Sequence, residues 1–449
     1  MSSEKRPNIL FVIADDHRAD AIGALGHPVV QTPVLDSLVA EGTTFTRARI
    51  MGSLLPAVCA PSRACILTGL GMFQADSLAH CHPRPNREVS LCDQAVTLPQ
   101  AFRSQGYETF LTGKWHNDVA SALRSFDSGG DIFHGGMCEH TSVPLQSLKD
   151  MAEGHPASVG EGFSSEIFCD MAAEFIRSRE KDRPFFVWLA LTSPHDPRTP
   201  PEPYNRAYAP SEIPLPGNFL PEHPFDNGEL DIRDEKLAPR PRTPERMQRE
   251  LADYYGMISH QDACLGRVLK SLVQAGEDDN TIVVYVSDHG LAMGSHGLLG
   301  KQNLYEHSVR VPLIMRGPGV PRGKSCSQEL YSLDLFATLG ELAGVETPHG
   351  LESLSFVPAM NGCPQVTRDV FFCAYAQCQR SAFDGRWKLI QYRVKDEERV
   401  QLFDLEADPD ECRDLASETA STAVIGRLSR RLNAWREANG DRFSGELGV

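Results

Sequence analysis

Asn8-Ile9-Leu10-Phe11-Val12-Ile13-Ala14 is an unbroken apolar run, and it stops at Asp15-Asp16-His17. A strand with one wet face alternates polar and apolar residues. A continuous run marks a strand covered on both faces, as in a parallel sheet. The pattern recurs along the chain. Phe185-Phe186-Val187-Trp188-Leu189-Ala190 leads into Ser193-Pro194-His195-Asp196-Pro197-Arg198, and Thr281-Ile282-Val283-Val284-Tyr285-Val286 into Ser287-Asp288-His289-Gly290. The shorter Tyr107-Glu108-Thr109-Phe110-Leu111 leads into Thr112-Gly113-Lys114-Trp115-His116, and residues 311–315 begin a further strand. Helical spacing fits 33–42, 97–106, 164–179, 251–275 and 332–343. Strands alternating with helices specify an α/β fold: a large mixed, mainly parallel sheet flanked by helices. Residues 117–160, rich in Gly, Ser and His, read as loops. The Pro-rich, charged stretch 199–245 has no period, and irregular chain of that length is usually functional or mobile.

Beyond about residue 362 the texture changes. Short strands at 370–375, 387–392 and 400–403, a turn at Asp384-Gly385 and a helix at 422–438 suggest a small antiparallel sheet with one helix. The expected division is a catalytic α/β domain over 1–362 and an α+β subdomain over 363–449.

The 449 residues are 41% hydrophobic and 23% charged, with net charge −16. This profile suits a soluble globular protein and argues against nucleic-acid binding, which needs a basic surface. An anionic substrate would have to be drawn by a local cationic cluster, against the overall field. The start, Met1-Ser2-Ser3-Glu4-Lys5-Arg6-Pro7, lacks a signal-peptide core, and the apolar run at 185–191 is too short to span a membrane. The expectation is a cytoplasmic protein with no membrane association; a trimmed leader would change this to periplasmic or secreted. Twelve scattered cysteines without a Cys-x-x-Cys pair read as reduced thiols.

The polar groups at the strand ends form two sets. Asp15, Asp16, Asp288 and His289 offer hard oxygens and one imidazole, which suits calcium, magnesium or manganese; no Cys/His spacing fits a structural zinc. Arg63, Lys114, His116, His195 and Lys301 supply cations and imidazoles. Lys114 and His116, two apart, would point the same way from an extended chain. Cys59-Ala60-Pro61-Ser62-Arg63 reads as a helix start, with Pro61 in the first turn and Cys59 and Arg63 on one face. Alone it reads better as a buried thiol near a helix cap. Beside the other clusters it reads as a nucleophile facing a metal and a cationic cradle, an arrangement suited to a sulfate or phosphate ester.

Cys59-x-Pro61-Ser62-Arg63, followed by Thr68-Gly69, resembles the signature of type I sulfatases of the alkaline phosphatase superfamily. Asp15-Asp16, Gly113-Lys114-Trp115-His116, Pro194-His195, Ser287-Asp288-His289-Gly290 and Gly300-Lys301 stand in that family's order. The C-terminal Trp387-Lys388-Leu389-Ile390 and Leu402-Phe403-Asp404-Leu405 also resemble bacterial sulfatases. The resemblance implies a sulfuric ester hydrolase acting on a carbohydrate, aryl or alkyl sulfate. It implies that a separate maturase converts Cys59 to formylglycine (3-oxoalanine). It implies calcium, or else magnesium or manganese, on Asp15, Asp16, position 59, Asp288 and His289. The hydrated aldehyde would attack sulfur, with Arg63, Lys114 and Lys301 holding charge. His195 or Lys301 would protonate the leaving alcohol, and His116 would trigger sulfate release. His289 stands where many members have Asn, which keeps a phosphonate monoester or phosphodiester hydrolase as the alternative. Cys65 lacks the Pro-Ser-Arg context and reads as a core thiol.

Substrate contacts are expected from His17, Arg18, His134, Arg198, His296 and Asn303, whose cationic character would suit a sulfated sugar with further anionic groups. The partners expected are a small sulfated substrate and the maturase; a homo-oligomer is left open.

Overall fold

The computed structural model describes residues 5–75, 91–363, 368–441 and 443. Its centre is an eight-stranded sheet. In chain order the strands are β1 (Asn8–Asp15), β2 (Thr43–Phe45), β3 (Glu108–Lys114), β4 (Ser128–Phe133), β5 (Phe185–Pro194), β6 (Thr281–Ser287), β7 (Leu313–Arg316) and β8 (Lys324–Cys326). Their spatial order is β8-β2-β7-β6-β1-β5-β3-β4. Only β7 runs against its neighbours, so the sheet is mixed and mainly parallel, as the apolar runs predict.

Both faces of β1 are covered. Ile9, Phe11 and Ile13 enter one core and Leu10, Val12 and Ala14 the other, all with no exposed surface. Each large side chain buried in this way contributes about 2 kcal/mol. Phe11 stacks on Trp188 of β5 at 4.4 Å. One face carries α1 (Pro33–Glu41), α5 (Ser164–Ser178) and α6 (Pro244–Ala275), through Leu35, Phe168, Leu265 and Val268 among others. The other carries α2 (Cys59–Thr68), α3 (Leu98–Ser104), α4 (Val119–Ser125) and α7 (Leu335–Ala343). Cys65 lies in this second core.

The 117–160 stretch is not all loop: it holds α4, β4 and a short helix at Leu148–Glu153. Asp118 caps α4 by accepting the Ser121 N–H. Strand β4 hides in the sequence because Gly129 and Gly130 are poor strand formers. Gly129 is there for space, since a Cβ would meet the Leu111 carbonyl oxygen at 2.8 Å. Helix α6 starts at Pro244 rather than 251, capped by Thr243. The 199–245 segment is irregular apart from short 3-10 turns.

The C-terminal sheet has strands β9 (Phe371–Tyr375), β10 (Gln379–Phe383), β11 (Trp387–Val394) and β12 (Glu397–Asp404), antiparallel in that order. Helix α8 (Thr422–Ala438) packs on it through Leu428 and Leu432. The Asp384-Gly385 turn joins β10 to β11, with the Asp384 carboxylate accepting the Arg386 and Trp387 N–H groups. Strand β10 was not expected from the sequence. The two sheets are stitched together: Gly52–Ser53 adds a parallel strand to β9, and Tyr305, Ile390, Tyr392 and Phe403 share the core of the large sheet. Among the described residues no helix is long and apolar enough to cross a membrane.

Candidate functional site

Strand register assembles the site. Ala14 pairs with Ser287, so Asp15-Asp16 and Asp288-His289 leave adjacent strands side by side. Asp15 pairs with Pro194, which puts His195 next to them. Gly113 pairs with Ala190, bringing Lys114 to the same edge. Gly113 has φ +89°, and a Cβ there would meet the Ala190 carbonyl oxygen at 1.9 Å, so only glycine fits this bend. Four neighbouring strands thus end on one spot, where parallel α/β sheets bind ligands. Helix α2, buried throughout, brings Cys59 and Arg63 in from one side.

The Arg63 guanidinium donates Nε–H to Asp288 Oδ2 at 2.8 Å and Nη1–H to the Lys114 carbonyl at 2.8 Å. Lys114 Nζ bonds Asp15 Oδ2, and Lys301 Nζ donates to Asp16 Oδ1 at 2.8 Å. His116 has φ +53°, so strand alternation is lost after Lys114. The two side chains reach the same centre by separate routes, Lys114 to Asp15 and His116 to Cys59.

The acidic set is crowded. Burial acts to raise Asp15, but Lys114, His195 and Arg63 together outweigh it and hold the carboxyl below the usual range. Burial and the Asp15 charge push Asp288 up to about 6. Burial acts to lower His289, but Asp288 and Cys59 together draw it up to about 9. Burial opposes ionisation of Cys59, yet Lys114, Lys301, His289 and a hydrogen bond to His116 bring the thiol well below its ordinary value. Burial and Lys114 push His116 down to about 4, keeping it neutral.

These groups fit a divalent cation. His289 Nδ1–H donates to the Gly290 carbonyl at 2.9 Å, which turns the Nε2 lone pair toward Asp288 Oδ1 at 3.4 Å and Asp15 Oδ1 at 3.7 Å. Three acceptors facing one another are stable only around a proton or a metal ion. Asp15 Oδ1, Asp16 Oδ2 and His289 Nε2 are buried and have no hydrogen-bond partner among the described residues. Ligand atoms of Asp15, Cys59, Asp288 and His289 lie within 4.8 Å of one another, as do those of Asp15, Asp16 and His195.

Above Cys59 opens a cavity of about 610 Å³. His116, His195 and Lys301 line it with Cys59, and Met137, Glu229, Ile232, Arg233 and Asp234 form its outer wall. None of the expected substrate contacts lies in that lining. The His17 ring is buried between the Tyr285 hydroxyl and the Ala21 carbonyl. Arg18 is held by Asp20 and the carbonyls of Leu291 and Ala292. His134 bonds the Asn117 carbonyl and Arg198 pairs with Glu250. His296 stacks on Tyr305 and bonds the Glu411 carbonyl. Asn303 caps the Tyr305 N–H. A histidine or arginine near a motif in sequence satisfies local backbone groups as readily as a ligand. The cavity wall instead draws Glu229, Arg233 and Asp234 from the 199–245 segment. The signal for them was the length of that irregular stretch; nothing in it singled out the residues.

The sulfatase family profile matches residues 7–345, three quarters of the chain. The chain belongs to the sulfatase family. A second profile, N-sulphoglucosamine sulphohydrolase C-terminal, matches residues 294–438 of this sulfatase. N-acetylglucosamine-6-O-sulfatase of Bacteroides thetaiotaomicron is 26% identical, over 92% of this chain and 83% of that protein. A protein solved in complex with its substrate D-glucosamine-2-N,6-O-disulfate has the same fold, with TM-score 0.83 and 23% identity, covering 98% of this chain and 100% of that one. Phosphonate monoester hydrolase of Agrobacterium radiobacter also shares the fold, with TM-score 0.75 and 24% identity over 97% and 96% of the two chains. The family implies a metal ion and formylglycine, and the buried donor set provides a place for the metal.

Proposed function

We propose that this sulfatase releases inorganic sulfate from a sulfated carbohydrate. The reading rests on one observation above all: the unpartnered donors of Asp15, Asp16 and His289 converge beside Cys59 and under Lys114 and Lys301, at the base of a cavity. Asp15, Asp16, Asp288 and His289 would hold a divalent cation, and their hard oxygens suit calcium, magnesium or manganese. Such an ion would supply positive charge against the oxygens of the ester. Cys59 stands where the family's formylglycine supplies the attacking hydroxyl, so activity requires a maturase.

The other side chains divide the remaining work. Lys114 and Lys301 bind the sulfate oxygens, and Arg63 fixes Asp288 and the residue-59 end of α2. His116, kept neutral by burial and Lys114, is the base that takes a proton at position 59. His195 donates Nδ1–H to the Asp196 carbonyl at 2.8 Å, which leaves Nε2 for the cavity. It or Lys301 delivers the proton to the leaving alcohol.

The cavity wall narrows the substrate. Glu229 and Asp234 put two carboxylates in the lining beside a single guanidinium, Arg233, which is already paired with Asp234 and with the buried Asp196. This wall disfavours further negative charge on the leaving group, the reverse of what the histidines and arginines in the sequence suggest. A neutral or amino sugar bearing one sulfate fits best. The test is sulfate release by matured, calcium-loaded enzyme from N-acetylglucosamine 6-sulfate, with an aryl phosphodiester alongside. Faster turnover of the phosphodiester would favour the phosphonate and phosphodiester reading. Mass spectrometry showing an unmodified thiol at Cys59 in active enzyme would rule out the formylglycine route.

A further inference from the structure

The geometry points to Arg233 as a positioning residue that clamps the two groups on the leaving-alcohol side, His195 and Lys301, through Asp196 and Asp234. This rests on the sulfatase reading above. One arm of the fork, Nη2, bonds Asp196 Oδ2. The other, Nη1, donates to Asp234 Oδ1 at 2.8 Å. The second oxygen of each carboxylate is turned toward the machinery. Asp196 Oδ1 lies 3.4 Å from His195 Nδ1. Asp234 Oδ2 accepts from Gln302 Nε2 at 2.8 Å and lies 3.9 Å from Lys301 Nζ. Gln302 Oε1 in turn accepts the Lys301 backbone N–H at 2.9 Å.

Three segments remote in sequence are tied this way: the end of β5, the turn at 233–237 and the loop at 301–302. A planar guanidinium can hold two carboxylates at a fixed separation, which an ammonium cannot. Without it, Asp196 would swing onto His195 and Asp234 onto Lys301. Each donor would then be held in a tight ion pair, away from the ester oxygen. Asp234 is buried while Arg233 is half exposed, so the clamp closes from the solvent side and adds little to the core.

The test compares two esters in the matured, metal-loaded enzyme. Loss of a well-placed general acid matters for a sugar alcohol, which must leave protonated. It matters little for 4-nitrophenolate, which leaves as a stable anion. Arg233→Ala should lower kcat for a sugar 6-sulfate by about 10- to 100-fold, part of the 10²–10⁴ that general acid catalysis supplies. For 4-nitrophenyl sulfate kcat should fall about tenfold less than for the sugar sulfate, since no acid is needed there and only the hold of Lys301 on the sulfate is weakened. Arg233→Lys should fail to restore the sugar sulfate rate. Arg233→Ala combined with Asp234→Asn should cost no more than Arg233→Ala alone, because both break one bridge. Equal losses on the two esters, a rise in KM alone, full rescue by lysine or additive losses would each overturn the clamp. If wild-type enzyme releases sulfate from neither ester, the sulfatase reading itself fails and the clamp falls with it.

Discussion

Arg49, Glu306, Lys388 and Glu411 form a buried charge cluster where the large sheet meets the C-terminal one, and every carboxylate oxygen of Glu306 and Glu411 faces a cation or an N–H, Glu411 Oε1 through its ion pair with Lys388 alone. Arg49 Nη2 lies 2.8 Å from Glu306 Oε2, Lys388 Nζ lies 2.9 Å from Glu306 Oε1 and 2.8 Å from Glu411 Oε1, and Glu411 Oε2 accepts the Glu306 N–H at 2.6 Å. The cluster around Cys59 is as deeply buried and balances three carboxylates with three cations, where the first balances two with two. It leaves atoms over: Asp15 Oδ1, Asp16 Oδ2, Arg63 Nη2 and His289 Nε2 have no hydrogen-bond partner among the described residues. A closed network can only hold the fold. An open one, with acceptors facing one another, is costly until a ligand arrives. Charge count does not separate the two; satisfaction of individual atoms does.

The largest expected effect is on the open cluster. Asp288→Asn should cut sulfate release by at least about 100-fold, as for the loss of a preorganised charge. In chelator its melting temperature should be unchanged or higher, because one of three crowded carboxylates is neutralised. Calorimetry showing a lower melting point with activity retained would put both clusters in one class. The closed cluster should behave in the opposite way. Lys388→Met strands the buried Glu411 carboxylate, leaves Glu306 to Arg49 alone, and should cost about 3–5 kcal/mol in urea unfolding. The kcat of the folded enzyme should stay near wild type.

Acid sharpens the contrast. His223 donates Nδ1–H to the His296 carbonyl, and His296 bonds the Glu411 carbonyl beside the closed cluster. Burial lowers both to about 4, helped by Arg399 at His223 and by His223 and Lys388 at His296. A histidine whose folded value is depressed contributes stability that is present above its unfolded value of about 6.5 and is lost as pH falls toward 4. Each site contributes up to about 1.4 kcal/mol per pH unit across that window. His223→Gln should remove its share of the slope, measured as urea midpoint against pH; an unchanged slope would mean that the ring is already charged in the fold. The smallest effect belongs to the cavity wall. Glu229→Gln should raise kcat/KM for a disulfated sugar relative to a monosulfated one by about two- to fivefold, the reach of a partly exposed charge. A fall in that ratio would mean that the wall attracts anions.

The fold is legible where burial imposes a single demand. Strands covered on both faces must be apolar throughout, so β1, β5 and β6 stand out in the sequence. Strand β10 does not, because Gln379, Arg380 and Ser381 are buried by bonding rather than by apolarity: Arg380, for example, pairs with Asp441. The strand-end site groups were legible for a related reason. Polar residues that interrupt a buried strand need a partner, and Asp15, Lys114, His195 and Asp288 all follow such runs. Arg233 and Asp234 follow none.

The sequence alone determines which atoms are on hand: three aspartates, three imidazoles, three cations and a cysteine in a Cys-x-Pro-Ser-Arg context, most of them just past the end of a strand whose type is set by its pattern of burial. Tertiary structure decided which of them meet. The register Ala14–Ser287 and Asp15–Pro194 sets the donors side by side, and the irregular 199–245 chain carries Glu229, Arg233 and Asp234 to the cavity wall in place of the expected His17, Arg18 and Arg198. Periodicity encodes which face of an element is buried. It carries no record of which distant loop closes over a strand end, since that depends on packing across the whole chain.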